Sequence, residues 1–296
     1  MKRVNIFRGM GVALVTPFDE QGAVDFAALE KLLRLHLEAG TDFLCILGTT
    51  AETPCLSAAE CEQIRQTAVS IVGGKFPLLL GCGGNNTAAV TAALRDTDLT
   101  GYDGVLIVTP YYNKPTQEGL FQHYAAVAAA SPLPVVLYNV PGRTGVNLTA
   151  QTTLRIARHC PNVVAIKEAS GKLDQIQEIA KCAPEGFDVI SGDDALTCDI
   201  LQMGGVGVIS VIGNAFPKEF GQMVRTAMRG ETDKALSMHR RFQPLYQLMT
   251  ADGNPAGIKS LLSLQGRIHG GLRLPLVPAS KETENAIGEF LHTFPQ

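Results

Sequence analysis

The sequence predicts an α/β protein, a (β/α)8 TIM barrel with a C-terminal helical extension. Three observations lead there. Eight near-continuously hydrophobic, β-branched runs bounded by Gly, Pro or Asp recur over about the first 230 residues. Each run is followed by a segment of helical length and spacing, and past residue 230 or so only helical patterning remains. Eight β-α units in that length match a barrel of about 250 residues better than a doubly wound sheet, which more often has six strands and a Gly-rich first turn.

The runs, in order, are residues 11–18 (GVALVTPF), 43–48 (FLCILG), 77–83 (PLLLGCG), 104–110 (GVLIVTP), 134–141 (PVVLYNVP), 163–170 (VVAIKEAS), 187–194 (FDVISGDD) and 205–211 (GVGVISV). A sheet with one wet face would alternate apolar and polar residues; these runs do not, so they are expected to be parallel strands covered on both faces. The first ends in Thr16-Pro17-Phe18-Asp19 with no G-x-G-x-x-G. Helix punctuation lies between the runs: Ser57-Ala58-Ala59-Glu60 fits a capping box, and Gly40 and Gly204 fall where helices should stop. Three helical stretches close the chain, 231–250, 254–265 and 280–293. The expected division is a catalytic barrel over 1–229 and a helical domain over 230–296.

Of the 296 residues, 46% are hydrophobic and 18% charged, which excludes a disordered or low-complexity protein. Lys+Arg 25 against Asp+Glu 28 leaves a net charge of −3, with no basic excess to hold nucleic acid or an anionic membrane, so neither is an expected partner. Seven cysteines form no C-x-x-C pair and leave one over, which points to reduced thiols rather than a zinc knuckle or disulfide framework. Met1-Lys2-Arg3 resembles the start of a signal peptide, but Arg8 interrupts the apolar stretch and Asp19-Glu20 closes it without a cleavage site. No segment holds the ~18 uncharged apolar residues of a membrane span. A cytoplasmic protein is expected.

Barrel enzymes carry their reacting groups at the C-terminal ends of the strands. Lys167, inside Val163-Val164-Ala165-Ile166-Lys167-Glu168, is the foremost candidate. A lysine there either faces a dry interior, where desolvation favours the neutral amine that forms a Schiff base, or pairs with an acid such as Glu168 or Asp193. Tyr138 is a proton donor and acceptor at the same mouth or an aromatic filling the barrel end. Arg143, after Pro141-Gly142, is a planar fork for a substrate carboxylate or a solvated loop cation. Thr49 and Thr50 precede the helix beginning near Ser57, so hydroxyls and backbone N–H groups there suit a small anion or simple turn chemistry.

Other signals carry less. Gly81-Cys82-Gly83-Gly84-Asn85-Asn86 matches no phosphate-binding loop and is expected to be a turn. Asp193-Asp194 is explained by N-capping of a helix over 195–203. His36, His123, His159, His239, His269 and His292 show no ligand spacing such as H-E-x-x-H, so catalysis without a metal is expected.

Taken together, Gly48-Thr49-Thr50-x-Glu52, Tyr111-Tyr112-Asn113, Tyr138-Asn139-Val140-Pro141-x-Arg143-Thr144-Gly145, Ile166-Lys167-Glu168 and Ser191-Gly192-Asp193-Asp194 resemble the dihydrodipicolinate synthase / N-acetylneuraminate lyase family. The resemblance spans almost the whole chain, since Asn254-Pro255 with Lys259 and the run Leu272-Arg273-Leu274-Pro275-Leu276-Val277-Pro278 also look like that family's tail. The Thr49-Thr50 pair and Arg143 favour the synthase branch over the sialic-acid lyases.

The resemblance implies that Lys167 forms an imine with pyruvate while Tyr138 shuttles protons in a hydroxyl relay with Thr49 and Tyr112. Tyr112 would be supplied by a neighbouring subunit of a homotetramer, a dimer of dimers. Thr49 and Thr50 would hold the pyruvate carboxylate, and Arg143 that of L-aspartate 4-semialdehyde. Gly192 and Ile209 would line the pyruvate pocket with backbone. No cofactor is implied beyond the covalent imine on Lys167, and the pathway is lysine and diaminopimelate biosynthesis. Ala51 and Thr53 depart from a usual Gly and Ser, which bears on turn geometry. Ala58, Cys61 and Ala89 stand where lysine-inhibited relatives commonly have a histidine and a glutamate, so weak or absent lysine inhibition is expected. The alternatives are a sister aldolase acting on a sugar acid, a keto-acid sensor that does not turn its ligand over, and a metal-dependent barrel aldolase.

Overall fold

The computed structural model describes residues 5–294; Met1-Lys2-Arg3, which resembled a signal start, lies outside them. Eight parallel strands close in sequence order into a barrel. They are β1 Gly9–Ala13, β2 Phe43–Ile46, β3 Leu78–Gly81, β4 Gly104–Val108, β5 Val135–Asn139, β6 Val163–Glu168, β7 Asp188–Ser191 and β8 Gly207–Ser210. The helices around and after them are α1 Phe26–Ala39, α2 Ala58–Val72, α3 Thr87–Asp96, α4 Gln117–Ala130, α5 Pro141–Thr144, α6 Ala150–His159, α7 Leu173–Cys182, α8 Thr197–Gln202, α9 Pro217–Met228, α10 Thr232–Ala251, α11 Ala256–Leu264 and α12 Lys281–Thr293. The expected (β/α)8 barrel and its three closing helices are therefore present, and residues 229 and 230 lie between α9 and α10. Among the described residues no helix is long and apolar enough to cross a membrane.

Burial on both faces explains the unbroken hydrophobicity of the strands. Outward residues such as Val12, Leu44, Val105 and Ile166 join the helices in one cluster, and inward residues such as Leu79, Leu106, Val136, Val164 and Ile190 form a second inside the barrel. Phe7 and Phe43 meet edge to face inside it, with centroids 5.4 Å apart. The interior is thus a packed core, and polar side chains gather at one end of it. The anticipated capping box closes α2, where Ser57 Oγ accepts from Glu60 N and Glu60 accepts from Ser57 N at 2.8 Å. Gly40 ends α1 in the left-handed region at φ 70°.

Two local expectations need correction. The first strand runs Gly9–Ala13, ahead of the hydrophobic run at 11–18, because the later part of that run is buried loop under the C-terminal segment: Phe18 bridges to Val24 and is 1% exposed. Asp194 does not cap α8. Its carboxylate accepts from the backbone N–H groups of Val211 and Ile212 at 2.9 and 2.8 Å and so ties the β7 loop to the β8 loop. Asp193 alone serves the turn, accepting from Ala195 N at 2.9 Å.

The C-terminal segment is locked to the barrel wall by rings: Phe216 at the start of α9 meets Phe242, Phe290 and Phe294 with centroids 5.7, 6.2 and 4.8 Å away. Aromatic pairs of this kind add about 0.5–1.5 kcal/mol each beyond area burial.

Two buried histidines make the fold acid-sensitive. Burial holds His36 down to about 3 and His123 down to about 4, so both stay neutral in the folded chain where the unfolded chain would already be protonating near pH 6.5. Their stabilisation is complete above pH 6.5 and is lost as the pH falls toward 4 and 3. Asp194 acts oppositely: burial raises it to about 6, so its protonation returns part of that loss. From these three groups together the expected loss between pH 7 and pH 4 is roughly 3–4 kcal/mol. A thermal midpoint unchanged between those two pH values would refute this.

Candidate active site

The polar end of the barrel opens into a cavity of about 520 Å3 at the C-terminal ends of the strands. Of the expected site residues, Thr49, Tyr138 and Arg143 line it. Thr49 starts a 3-10 turn, Thr49–Ala51, that follows β2 through Leu47 and Gly48. Leu47 and Glu52 flank this turn at φ 55°, a left-handed backbone that residues with a Cβ rarely adopt. The turn is closed by Ala51 N donating to Gly48 O at 3.1 Å and Glu52 N donating to Thr49 O at 3.2 Å. Thr53 Oγ1 adds a bond to Gly48 O at 3.0 Å, so the Ala51 and Thr53 departures leave the loop closed.

Lys167 is buried, 6% exposed, and is not itself on the cavity wall. Its register partners are Tyr138 on β5 and Ile190 on β7, both in the interior cluster. The ammonium lies 4.4 Å from the centroid of the Tyr138 ring, which does line the cavity. Among the described residues no ion pair involves Lys167. Glu168, next along the strand, points to the opposite face, where its carboxylate accepts from Asn139 Nδ2 and Ser170 N at 3.0 Å and from Gln175 Nε2 at 2.9 Å. Burial raises Glu168 despite those donors. Asp193 is engaged with its own turn. The alternative of a salt-bridged Lys167 thus finds no partner in either named acid.

Gly192 shows why no side chain fits beside that lysine. A Cβ there would lie 3.1 Å from Lys167 Cγ and 2.8 Å from Ala169 Cβ. Ile209 is 1% exposed in the same interior cluster. Burial also pushes the Cys45 thiol up to about 11, with the Lys167 ammonium opposing the rise. Thr50 is buried and off the cavity wall, its hydroxyl accepting from Asn254 Nδ2 at 3.0 Å. Tyr112 stands apart from the rest: φ is 75° and the side chain is 87% exposed, while Tyr111 lines this chain's own cavity. Arg143, on the single turn α5, reaches across to donate from Nη2 to Asn254 O at 3.3 Å.

An inward lysine on β6 against a tyrosine of β5, a hydroxyl-bearing turn after β2 and an arginine after β5 are arranged for carbonyl chemistry on an acid substrate. A model of the dihydrodipicolinate synthetase family matches residues 6–293. The chain belongs to that family. It is 56% identical over 271 residues to the 4-hydroxy-tetrahydrodipicolinate synthase of Phocaeicola vulgatus, covering 92% of this chain and 91% of that one. The enzyme of the same name from Parabacteroides distasonis is 53% identical over 291 residues, 98% of each chain. A solved structure described as the first monomeric dihydrodipicolinate synthase variant is 42% identical, with a TM-score of 0.94 over 97% of this chain and 96% of its own.

This member of the dihydrodipicolinate synthetase family completes its cavity with residues whose part in it the sequence did not disclose. Glu52, Asn254, Pro275 and Leu276 all line it, three of them from the C-terminal segment. Glu52 is 1% exposed, and Lys259 of α11, 0% exposed, lies with Nζ 2.5 Å from its Oε1. Lys259 also donates to Gly271 O at 3.0 Å and sits 4.0 Å from the Phe18 ring centroid. Burial pulls this lysine down to about 8, with Glu52 acting against the fall. Arg273 grips Glu60 at 2.6 and 2.9 Å and holds its carboxyl down to about 2. In the sequence, Glu52 stands in the Gly48-Thr49-Thr50-x-Glu52 motif and Lys259 and Arg273 in the tail, and Lys259 is the one charged residue of the stretch Ala256–Leu264, but nothing there joins the three.

Proposed function

We propose that this chain is a 4-hydroxy-tetrahydrodipicolinate synthase, a lyase that condenses pyruvate with L-aspartate 4-semialdehyde. The observation that carries the reading is the buried Lys167 packed on the Tyr138 ring beside a cavity lined by Thr49 and Arg143. The Lys167 amine adds to the ketone carbon of pyruvate, and loss of water leaves an imine. Tyr138 moves the protons of that step, in a relay with Thr49 and with Tyr112 of a neighbouring copy. Loss of a proton from the pyruvate methyl gives the enamine, whose carbon attacks the aldehyde of the second substrate. That substrate's own amine then adds to the imine carbon, closes the ring and frees Lys167. Thr49 and Thr50 serve the pyruvate carboxylate, and the backbone at Gly192 and Ile209 completes its pocket. No cofactor is needed beyond the covalent imine.

Borohydride reduction in the presence of pyruvate, followed by peptide mapping, tests the reading. A stable adduct on Lys167 is expected, and its absence would overturn the assignment. Arg143→Ala is expected to raise KM for aspartate semialdehyde about 10- to 100-fold, the loss of one or two charge-assisted hydrogen bonds, with imine trapping by pyruvate unchanged. Unaltered turnover of the semialdehyde would move the function to another substrate.

The exposed Tyr112 supports assembly into a homotetramer of dimers that exchange this side chain, and seven unbridged cysteines support a cytoplasmic setting. Lysine is expected to inhibit weakly or not at all. Ala58 and Ala89 are exposed without an acidic group, and Glu60, the acid beside Cys61, is already committed to Arg273. Full inhibition by low-millimolar lysine in a coupled assay would contradict this.

A further inference from the structure

We infer that Glu52 is a positioning residue: its carboxylate, gripped by Lys259 and by the backbone of Arg273, fixes the turn that presents Thr49 to Tyr138. The inference rests on the reading above, in which Thr49 and Tyr138 handle protons during imine formation.

Three features of the turn support it. Glu52 terminates the turn carrying Thr49, its N–H closing on Thr49 O at 3.2 Å and its C=O accepting from Cys55 N at 2.8 Å. Its backbone is held at φ 55° and ψ 34°, a conformation a residue with a Cβ adopts only when its surroundings impose it. What imposes it lies more than two hundred residues away in sequence: Lys259 on Oε1, and Arg273 N–H on Oε2 at 3.0 Å, 221 positions from Glu52.

The chemistry of those two contacts requires a carboxylate. Both oxygens face donors, and a carboxamide of the same shape has one acceptor oxygen, so glutamine keeps at most one of the two tethers. The same C-terminal segment holds the next residues of the turn independently: Asn254 Nδ2 donates to Thr50 Oγ1, and Arg273 Nη1 donates to Cys55 O at 3.0 Å. From the barrel side, Thr16 Oγ1 donates to Ala51 O at 2.8 Å. The turn is thus clamped between the loop after β1 and the C-terminal segment, and Glu52 is the acidic side chain through which that segment holds it. Glu52 itself has no step in the reaction.

The test compares the native chain with Glu52→Gln, Lys259→Met and the double variant. The readouts are thermal midpoint, the rate of borohydride-trappable imine formation at saturating pyruvate, and KM for pyruvate. Native chain should trap pyruvate; if it does not, the functional reading fails and takes this inference with it. Glu52→Gln is expected to fold, to trap pyruvate about 10- to 100-fold more slowly, and to change KM for pyruvate less than about 3-fold, because a small displacement of a reacting group costs rate more than binding. Lys259→Met should have the lowest thermal midpoint, because it strands a buried carboxylate. In the double variant the midpoint should recover while the rate stays low. A native rate in Glu52→Gln, or recovery of rate together with midpoint in the double variant, would show that the pair serves the fold alone. Should both Lys259 variants fail to fold, the rate of Glu52→Gln decides by itself.

Discussion

Lys167→Gln is expected to abolish the reaction, lowering turnover by at least about 10^3-fold, since removing a covalent nucleophile leaves only the catalysis that binding and polar groups provide. Glutamine fills a similar length but cannot form an imine. Among the described residues the side chain makes no ion pair, and it packs against the Tyr138 ring, so its loss strands no buried counter-charge there and the protein should stay folded. Borohydride with pyruvate should then leave the variant's mass unchanged. A Gln variant within tenfold of native turnover would eliminate the imine mechanism altogether.

The second large effect is expected at Tyr138. Tyr138→Phe removes one hydroxyl and keeps the ring that lies 4.4 Å from the Lys167 ammonium. Proton transfer by a positioned side chain is worth about 10^2 to 10^4 in rate, so kcat should fall by about two to three orders of magnitude with KM for pyruvate close to native. The contrast with Arg143→Ala is diagnostic: one change acts on rate with either substrate saturating, the other on the affinity for the semialdehyde. If Tyr138→Phe raised KM for pyruvate and spared kcat, the tyrosine would be a binding group and the proton carrier would lie elsewhere.

The barrel was legible because closure with helices outside and side chains inside buries both faces of every strand, and that leaves an unbroken hydrophobic run such as Val163–Ile166. Lys167 stood out for the converse reason: a charged residue inside such a run must either face a dry interior or pair with an acid, and the sequence left both open. The legibility failed where burial came from afar. Phe18 looked like strand because it is apolar and buried, yet it lies in a loop packed into the core with Lys259 and Arg273 of the C-terminal segment 4.0 and 4.4 Å from its ring centroid. Asp194 looked like a cap because it precedes a helix; its partners, Val211 and Ile212, are contributed by the next strand's loop. Glu52 stood in the sequence as part of the Gly48-Thr49-Thr50-x-Glu52 motif, but its role did not, since its partners are more than two hundred positions downstream. Sequence periodicity records how a segment meets its immediate layer, and it is silent on which distant polar groups converge on one point.

The participation of Asn254, Pro275 and Leu276 in the cavity also sets the order in which this molecule can become an enzyme. On the ribosome, every strand of the barrel emerges before the walls that finish its mouth. A nascent chain that has already folded all eight strands therefore still lacks the clamp on its β2 turn, and chemistry must wait until the last fifth of the polypeptide has been made and has folded back across the opening.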